Sequence, residues 1–212
     1  MNPYGAEYFG ANYRDYAAQN PERKLAFYRA LLREASPQGG RLLELGCAFA
    51  PLLRSMGPEW RRFGCDMSAH ALAEARRADP GAGYAAASGE ALPYAGPFDA
   101  IAACDVLEHI PGIDRAGSEI DRLLRPGGAL LFVVPVYDGP TGPIIQVLDK
   151  DPTHVHKRAR GFWLDWAAER WTVERWLGIY RYLLPGGYYA HWPTRLLRHA
   201  TPAIAVVARK PG

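Results

Sequence analysis

The sequence of 212 residues predicts an α/β fold, an open and doubly wound sheet that is mostly parallel. Three observations point there. From residue 41 to residue 134, short apolar runs alternate with segments of helical period, the pattern of a parallel sheet covered by helices. Runs such as Phe98 to Cys104 and Ala129 to Val134 are continuously apolar, as strands buried on both faces require. The first run, Arg41 to Leu45, turns at Gly46 into the small residues Ala48 and Ala50. A strand that turns into a helix on small residues brings free N–H groups close to a ligand at the carboxyl end of the sheet.

Each element can be justified in turn. Residues 1 to 20 are rich in aromatics, among them Tyr13 and Tyr16. Asn20-Pro21 reads as a helix start, Asn as the cap and Pro in the first turn. Leu25, Tyr28, Leu31 and Leu32 supply the stripe of a helix from about Glu22 to Ala35, and Ser36 to Gly40 breaks it. After the first strand and its turn, Leu52, Leu53 and Met56 continue a helix that stops near Gly57-Pro58. Arg61 to Cys65 is a second strand ending at Asp66, and Ser68 caps a helix from Ala69 to Ala78. Gly83 to Ala87 is a third, weak strand, followed by a loop and the fourth strand, Phe98 to Cys104. A helix from Ile113 to Leu124 is broken by Arg125-Pro-Gly-Gly128 before the fifth strand, Ala129 to Val134. Residues 135 to 160, with three X-Pro turns, read as a long irregular connection of the kind that carries function. A helix from Gly161 to Arg170, a strand from Trp171 to Leu183, a turn at Pro185-Gly-Gly187, a short helix from Thr194 to His199 and a strand from Ala203 to Ala208 complete the chain.

Composition excludes several classes. The chain is 49% apolar and 22% charged, a globular balance. It has no apolar run near the ~18 residues of a membrane span. The N-terminus lacks the basic and apolar regions of a signal peptide. Cys47, Cys65 and Cys104 form no CxxC pair, so reduced thiols in a cytoplasmic protein are expected rather than a disulfide or zinc site. A net charge of +3 does not by itself point to nucleic acid. It is unevenly spread, however: residues 149–212 carry eleven Lys or Arg against five acids, a field that would draw an anionic substrate or carrier.

The first turn narrows the ligand. A dinucleotide needs GxGxxG, and Pro51 stands where its third glycine would fall. Asp66, twenty residues after Gly46, is placed to accept from a ribose. An adenosine cofactor without a pyrophosphate fits both facts.

Five segments then occur in order: Glu44 to Ala50, Gly64-Cys-Asp-Met-Ser68, Gly89-Glu-Ala-Leu-Pro-Tyr94, Phe98-Asp-Ala-Ile with Asp105-Val-Leu-Glu-His-Ile110, and Leu124-Arg-Pro-Gly-Gly-Ala-Leu-Leu131. This series resembles the motifs of class I S-adenosylmethionine-dependent methyltransferases, closely over about residues 20 to 135 and loosely beyond. The resemblance implies a single Rossmann-like domain over residues 1–212, with seven strands, the last antiparallel. Residues 1–36 would be a lid and helix, 37–135 the cofactor-binding core, and 136–212 the acceptor-site loop and C-terminal strands. It implies S-adenosylmethionine as cofactor and S-adenosylhomocysteine as product. Glu44, Gly46, Cys47 and Ala48 would shape the pocket for the methionine part, Asp66 would hold the ribose, and Met67 would pack on the adenine. Ser88, Gly89, Glu90 and Ala91 would border the adenine, and Cys104 and Asp105 would lie beside the sulfonium. Tyr13 or Tyr16 would close the lid. The family usually has Gly where Ala48 and Ala50 stand, so the backbone at both is expected outside positive φ. It often has Asp where Ser88 stands.

Methyl transfer to a hydroxyl needs alignment and a base. Asp105, Glu108, His109, His154 and His156 are the candidate bases, with His154 preferred and His109 or Asp105 in support. Asp105, Glu108 and His109 share one side of a helical turn, where they could simply fix the loop. With His154 they could instead hold a divalent ion, as in the quinone-biosynthesis O-methyltransferases and small-RNA 2′-O-methyltransferases that this segment resembles. Glu108, His156, Lys157 and Arg158 are expected to bind the acceptor, the two bases (with Arg160) suiting a phosphate or carboxylate. Five of the six Trp lie after residue 160, most as core and the rest open to an acceptor ring. The expected reaction is O-methylation of a small-molecule hydroxyl on a sugar or secondary metabolite, anionic or carrier-linked. Alternatives are N-methylation, RNA 2′-O-methylation and non-catalytic binding of the cofactor.

Overall fold

The computed structural model describes residues 16–184 and 188–212, apart from the side chains of residues 17, 183, 184 and 188. One sheet organises them. Its strands are β1 (Gly40–Leu45), β2 (Trp60–Asp66), β3 (Gly83–Ala86), β4 (Phe98–Cys104), β5 (Leu124–Pro135), β6 (Thr172–Leu184), β7 (Tyr188–Thr194) and β8 (Ala203–Arg209). The order is β3-β2-β1-β4-β5-β8-β6-β7. The first five strands pair in parallel, and β8 inserts antiparallel between β5 and β6.

The helices are α1 (Tyr16–Gln19), α2 (Glu22–Ala35), α3 (Pro51–Ser55), α4 (Ala69–Ala78), α5 (Ile113–Leu123), α6 (Gly142–Leu148) and α7 (Arg160–Ala168). Among the described residues no helix is long and apolar enough to cross a membrane.

The sheet is buried on both faces, so side-chain alternation sorts its strands into two cores. Leu130, Phe132 and Val134 of β5 join Ile204 and Val206 of β8 under α5 and α7, with Ile120, Trp163 and Trp166. Leu131 and Val133 join Ala205 and Val207 on the other face, against Leu32 of α2, Leu53 of α3 and Leu72 of α4. Each fully buried side chain of Leu or Phe size contributes about 1.5–3 kcal/mol. Trp163, Trp166 and Trp171 belong to the core, whereas Trp192 is exposed.

Five expectations need correction. The sheet has eight strands rather than seven, because Tyr188–Thr194 folds back on β6 as an antiparallel edge strand. Its Tyr and Trp residues have high strand propensity, and only a 3₁₀ turn, Arg198–Ala200, follows where a helix was expected. The long connection after β5 contains α6, because Pro143 lies in its first turn, where proline is tolerated rather than disruptive. The Arg125-Pro-Gly-Gly128 break lies inside β5, absorbed by a register shift between Phe98 and Ala100 and by Gly127 at φ 71°. Asn20 does not cap α2; its amide donates to the Tyr16 carbonyl at 2.9 Å.

Candidate active site

Strand order reverses between β1 and β4, and ligands of open α/β sheets bind at the carboxyl side of such a reversal. A cavity of about 310 Å³ opens there, at the lower end of the ~300–1,000 Å³ usual for ligand sites.

One half of the cavity is built on the first two strands. The turn after β1 is tight: Gly46 and Cys47 both donate to the Cys65 carbonyl, at 2.7 and 3.1 Å, and Ala50 donates to the Cys47 carbonyl at 2.7 Å. Gly46 sits at φ 69°, and a Cβ there would lie 2.4 Å from a Val106 methyl. Contrary to expectation, Ala48 and Ala50 also have positive φ, 46° and 54°. This conformation costs an L-residue about 1–2 kcal/mol, and the closed turn holds it regardless. Ala48 N–H donates to Asp66 Oδ2 at 2.9 Å, and Ser68 N–H to Oδ1 at 2.7 Å. Burial raises the Asp66 carboxyl, a shift opposed by these donors. Glu44 is buried, and burial pushes its carboxyl up to about 8. Its Oε2 has no hydrogen-bond partner among the described residues.

Tyr16, Glu44, Gly46, Ala48, Asp66, Met67, Ser88, Gly89, Cys104 and Asp105, all predicted from sequence, line this cavity. An acid oxygen without a partner, a turn of small residues and a carboxylate at the next strand end fit the amino-acid and ribose parts of S-adenosylmethionine. Three predicted residues are elsewhere. Cys47 is buried under the turn. Glu90 accepts from Gly112 N–H at 2.8 Å and pairs with Arg115. Ala91 N–H closes a loop onto the Ser88 carbonyl at 3.1 Å. Tyr13 lies outside the described residues.

The other half holds the charged groups. Asp105, at φ 56° after β4, pairs with Arg181 through Oδ1 and with Lys24 at 3.3 Å through Oδ2. Burial alone would raise this carboxyl, but the two cations outweigh it and hold it well below the carboxylate range. Asp105 is therefore a salt-bridge anchor, not the supporting base expected of it. Glu108 is buried, which pushes its carboxyl up to about 8, with Asp105 adding to the effect.

Two imidazoles meet beside Glu108. His109 and His154 have ring centroids 4.6 Å apart. Asp149 Oδ2 faces His154 Nδ1 at 2.8 Å. A carboxylate can only accept, so Nδ1 carries the proton and Nε2 is left as the acceptor. Asp149 also accepts from the Tyr137 hydroxyl. Burial would raise the Asp149 carboxyl, but the hydrogen bonds from Tyr137 and His154 outweigh it and keep it ionised. His109 Nδ1 faces Thr153 Oγ1 at 2.8 Å, and that hydroxyl donates to Asp151 at 2.5 Å. Burial, then His154, lowers His109 to about 4. Glu108, His109 and His154 each offer one ligand atom within 4.8 Å of the others; Asp105 is not in that set.

The expected acceptor-binding residues divide. Glu108 lines the cavity, but His156, Lys157 and Arg158 do not. His156 Nε2 bonds the Ile110 carbonyl at 2.9 Å, Lys157 reaches Asp149 at 3.1 Å, and Arg158 stacks on Phe162. Sequence reasoning missed Lys24, Arg181 and Asp149. A signal existed for two of them: Lys24 shares the buried face of α2 with Tyr28 and Leu31, and Arg181 shares strand parity with buried Leu177 and Ile179.

Residues 43–132 match the family described as a methyltransferase domain. An uncharacterized methyltransferase of Mycobacterium sp. (strain JLS) is 31% identical over 141 residues, 65% of this chain and 53% of that protein. Malonyl-[acyl-carrier protein] O-methyltransferase of Enterobacter lignolyticus is 32% identical over 130 residues, 58% of this chain and 50% of that protein. The chain thus spans about half the length of these relatives. The N-methyltransferase NodS of Bradyrhizobium japonicum, solved with S-adenosylhomocysteine, shares the fold at a TM-score of 0.65 and 17% identity, covering 96% of this chain and 98% of that one. The matched segment contains the turn, Asp66 and the end of β4, the parts that build the first half of the cavity. By that segment, its relatives and its fold, the chain is similar to the class I S-adenosylmethionine-dependent methyltransferases.

Proposed function

We propose that this chain methylates a hydroxyl on a small molecule, such as a sugar or secondary metabolite, with His154 as general base. The observation that carries the reading is the Asp149–His154 pair, 2.8 Å apart and opening on the same cavity as Glu44 and Asp66. S-adenosylmethionine, when bound, supplies a methyl group on an already activated sulfonium. The protein's task is alignment, worth up to ~7–11 kcal/mol, and removal of one proton. Asp149 fixes the His154 tautomer, so Nε2 takes the acceptor proton, and its negative charge stabilises the imidazolium that forms. The similarity to a malonyl-[acyl-carrier protein] O-methyltransferase supports transfer to oxygen. Candidate acceptors are screened for a mass gain of one methyl, and His154→Ala is then compared with wild type. The expected result is a kcat lower by about 10²–10⁴ with S-adenosylhomocysteine affinity unchanged. A variant that keeps most of its rate would exclude the base and favour nitrogen as the acceptor atom.

A second reading rests on the convergence of Glu108, His109 and His154 within 4.8 Å. Two imidazoles and a carboxylate suit a divalent transition ion, and Asp149 and the Thr153–Asp151 pair would orient the imidazoles from behind. Such an ion would lower the pKa of an acceptor hydroxyl. Turnover abolished by a chelator and restored by an added divalent ion would favour this reading over a free His154.

A further inference from the structure

The cationic surface expected to greet an anionic acceptor is not at residues 157–160. Lys157 pairs with Asp149, Arg160 with Asp138 at 2.9 Å, and Arg158 lies over Phe162. The cavity has a different pair of cations. Arg181 and Lys24 both line it, one on each oxygen of Asp105. They are well shielded, with side chains 15% and 8% exposed.

The charges at this wall do not cancel. Asp105 is one anion between two cations. Within this trio one positive charge is in excess, in a sheltered place where an unmatched charge is costly. The donors are also unspent. A guanidinium offers five N–H groups in a planar fork, and among the described residues Arg181 donates to Asp105 through Nη1. The Lys24 contacts, to Asp105 at 3.3 Å and the Gln19 carbonyl at 3.4 Å, are long.

Position says which ligand meets them. Arg181 comes from β6, separated from β1 in the sheet by β4, β5 and β8, and reaches Asp105 at the end of β4. We propose that Arg181, seconded by Lys24, is a carboxylate-binding subsite in the acceptor half of the cavity, and that the methyl acceptor is an organic acid. A planar carboxylate matches the fork, while Asp105 holds both cations in place. The word acceptor rests on the methyltransferase reading; the carboxylate subsite does not.

Calorimetry on the full chain tests this. Benzoate and lactate are titrated into protein with and without saturating S-adenosylhomocysteine, with benzamide and lactamide as neutral controls. The acids should bind and the amides should not. Arg181→Gln should weaken acid binding about ten- to a hundredfold and leave S-adenosylhomocysteine affinity unchanged. Arg181→Lys keeps a charge beside Asp105 and should retain part of the affinity, which guards against a variant that fails to fold. If Arg181→Gln instead weakens S-adenosylhomocysteine but not 5′-methylthioadenosine, which lacks the amino-acid end, the carboxylate held there is the cofactor's and the proposal is overturned. Equal binding of acids and amides, or no effect of Arg181→Gln on any of these ligands, overturns the proposal. Failure of wild type to bind S-adenosylhomocysteine would remove the methyltransferase reading, while the acid titration without it still judges the subsite.

Discussion

At the scale of single residues, burial and local charge set the protonation of the site. Glu44 and Asp105 line one cavity and are pushed in opposite directions. Burial raises Glu44 to about 8, whereas Arg181 and Lys24 overcome burial and depress Asp105. The raised acid makes stability depend on pH. Below its ordinary value of 4.5, Glu44 is protonated whether the chain is folded or not. Above it, the unfolded chain releases a proton that the folded chain keeps until about pH 8, so stability falls across that window. His191, lowered by burial from 6.5 to about 4, works the other way, its contribution lost as pH falls between those values. The glutamate slope is therefore clearest above pH 6.5. Glu44→Gln should flatten the decline in thermal midpoint between pH 6.5 and 8, by about 2 kcal/mol of stability. Parallel declines in variant and wild type would show that Glu44 is ionised in the fold.

At the scale of elements, local signals worked where local bonds decide. Ser68 was legible as a cap, and its hydroxyl accepts from Ala71 N–H at 3.2 Å at the start of α4. Ser68→Ala should cost about 1 kcal/mol in denaturant unfolding, with the Asp66 bond to the residue-68 N–H retained; an unchanged midpoint would show that the cap contributes nothing. The strands β1 to β5 and helices α2, α4 and α5 were readable for the same reason: continuous apolar runs and stripes report burial directly. The misread elements are those where one signal has two meanings. Gly142-Pro143 looks like a breaker and opens α6. Residues 188–194 carry an edge strand whose existence depends on β6 lying beside it.

At the scale of the whole molecule, the cavity joins the turn after β1, the ends of β2 and β4, the loop carrying His154, and residues from α2 and β6. A ligand filling it binds the folded chain alone. S-adenosylhomocysteine at ~100 times its dissociation constant should add ~2.7 kcal/mol of stability, read as a rise in thermal midpoint. Asp66→Ala should lose most of that rise; the same rise in the variant would remove Asp66 from the ribose site. The sequence by itself determined the doubly wound core and much of the cavity lining at the strand ends. Gly46, Asp66, Ser88 and Asp105 each end a strand or begin the loop after one, and in a parallel sheet all such ends lie on one edge. Only the tertiary structure decided the rest. It bent Ala48 and Ala50 into positive φ, set Asp149 behind His154, and brought Lys24 and Arg181 from opposite ends of the chain onto Asp105. Those outcomes depend on which groups are buried together, and burial belongs to the packed whole rather than to any stretch of sequence.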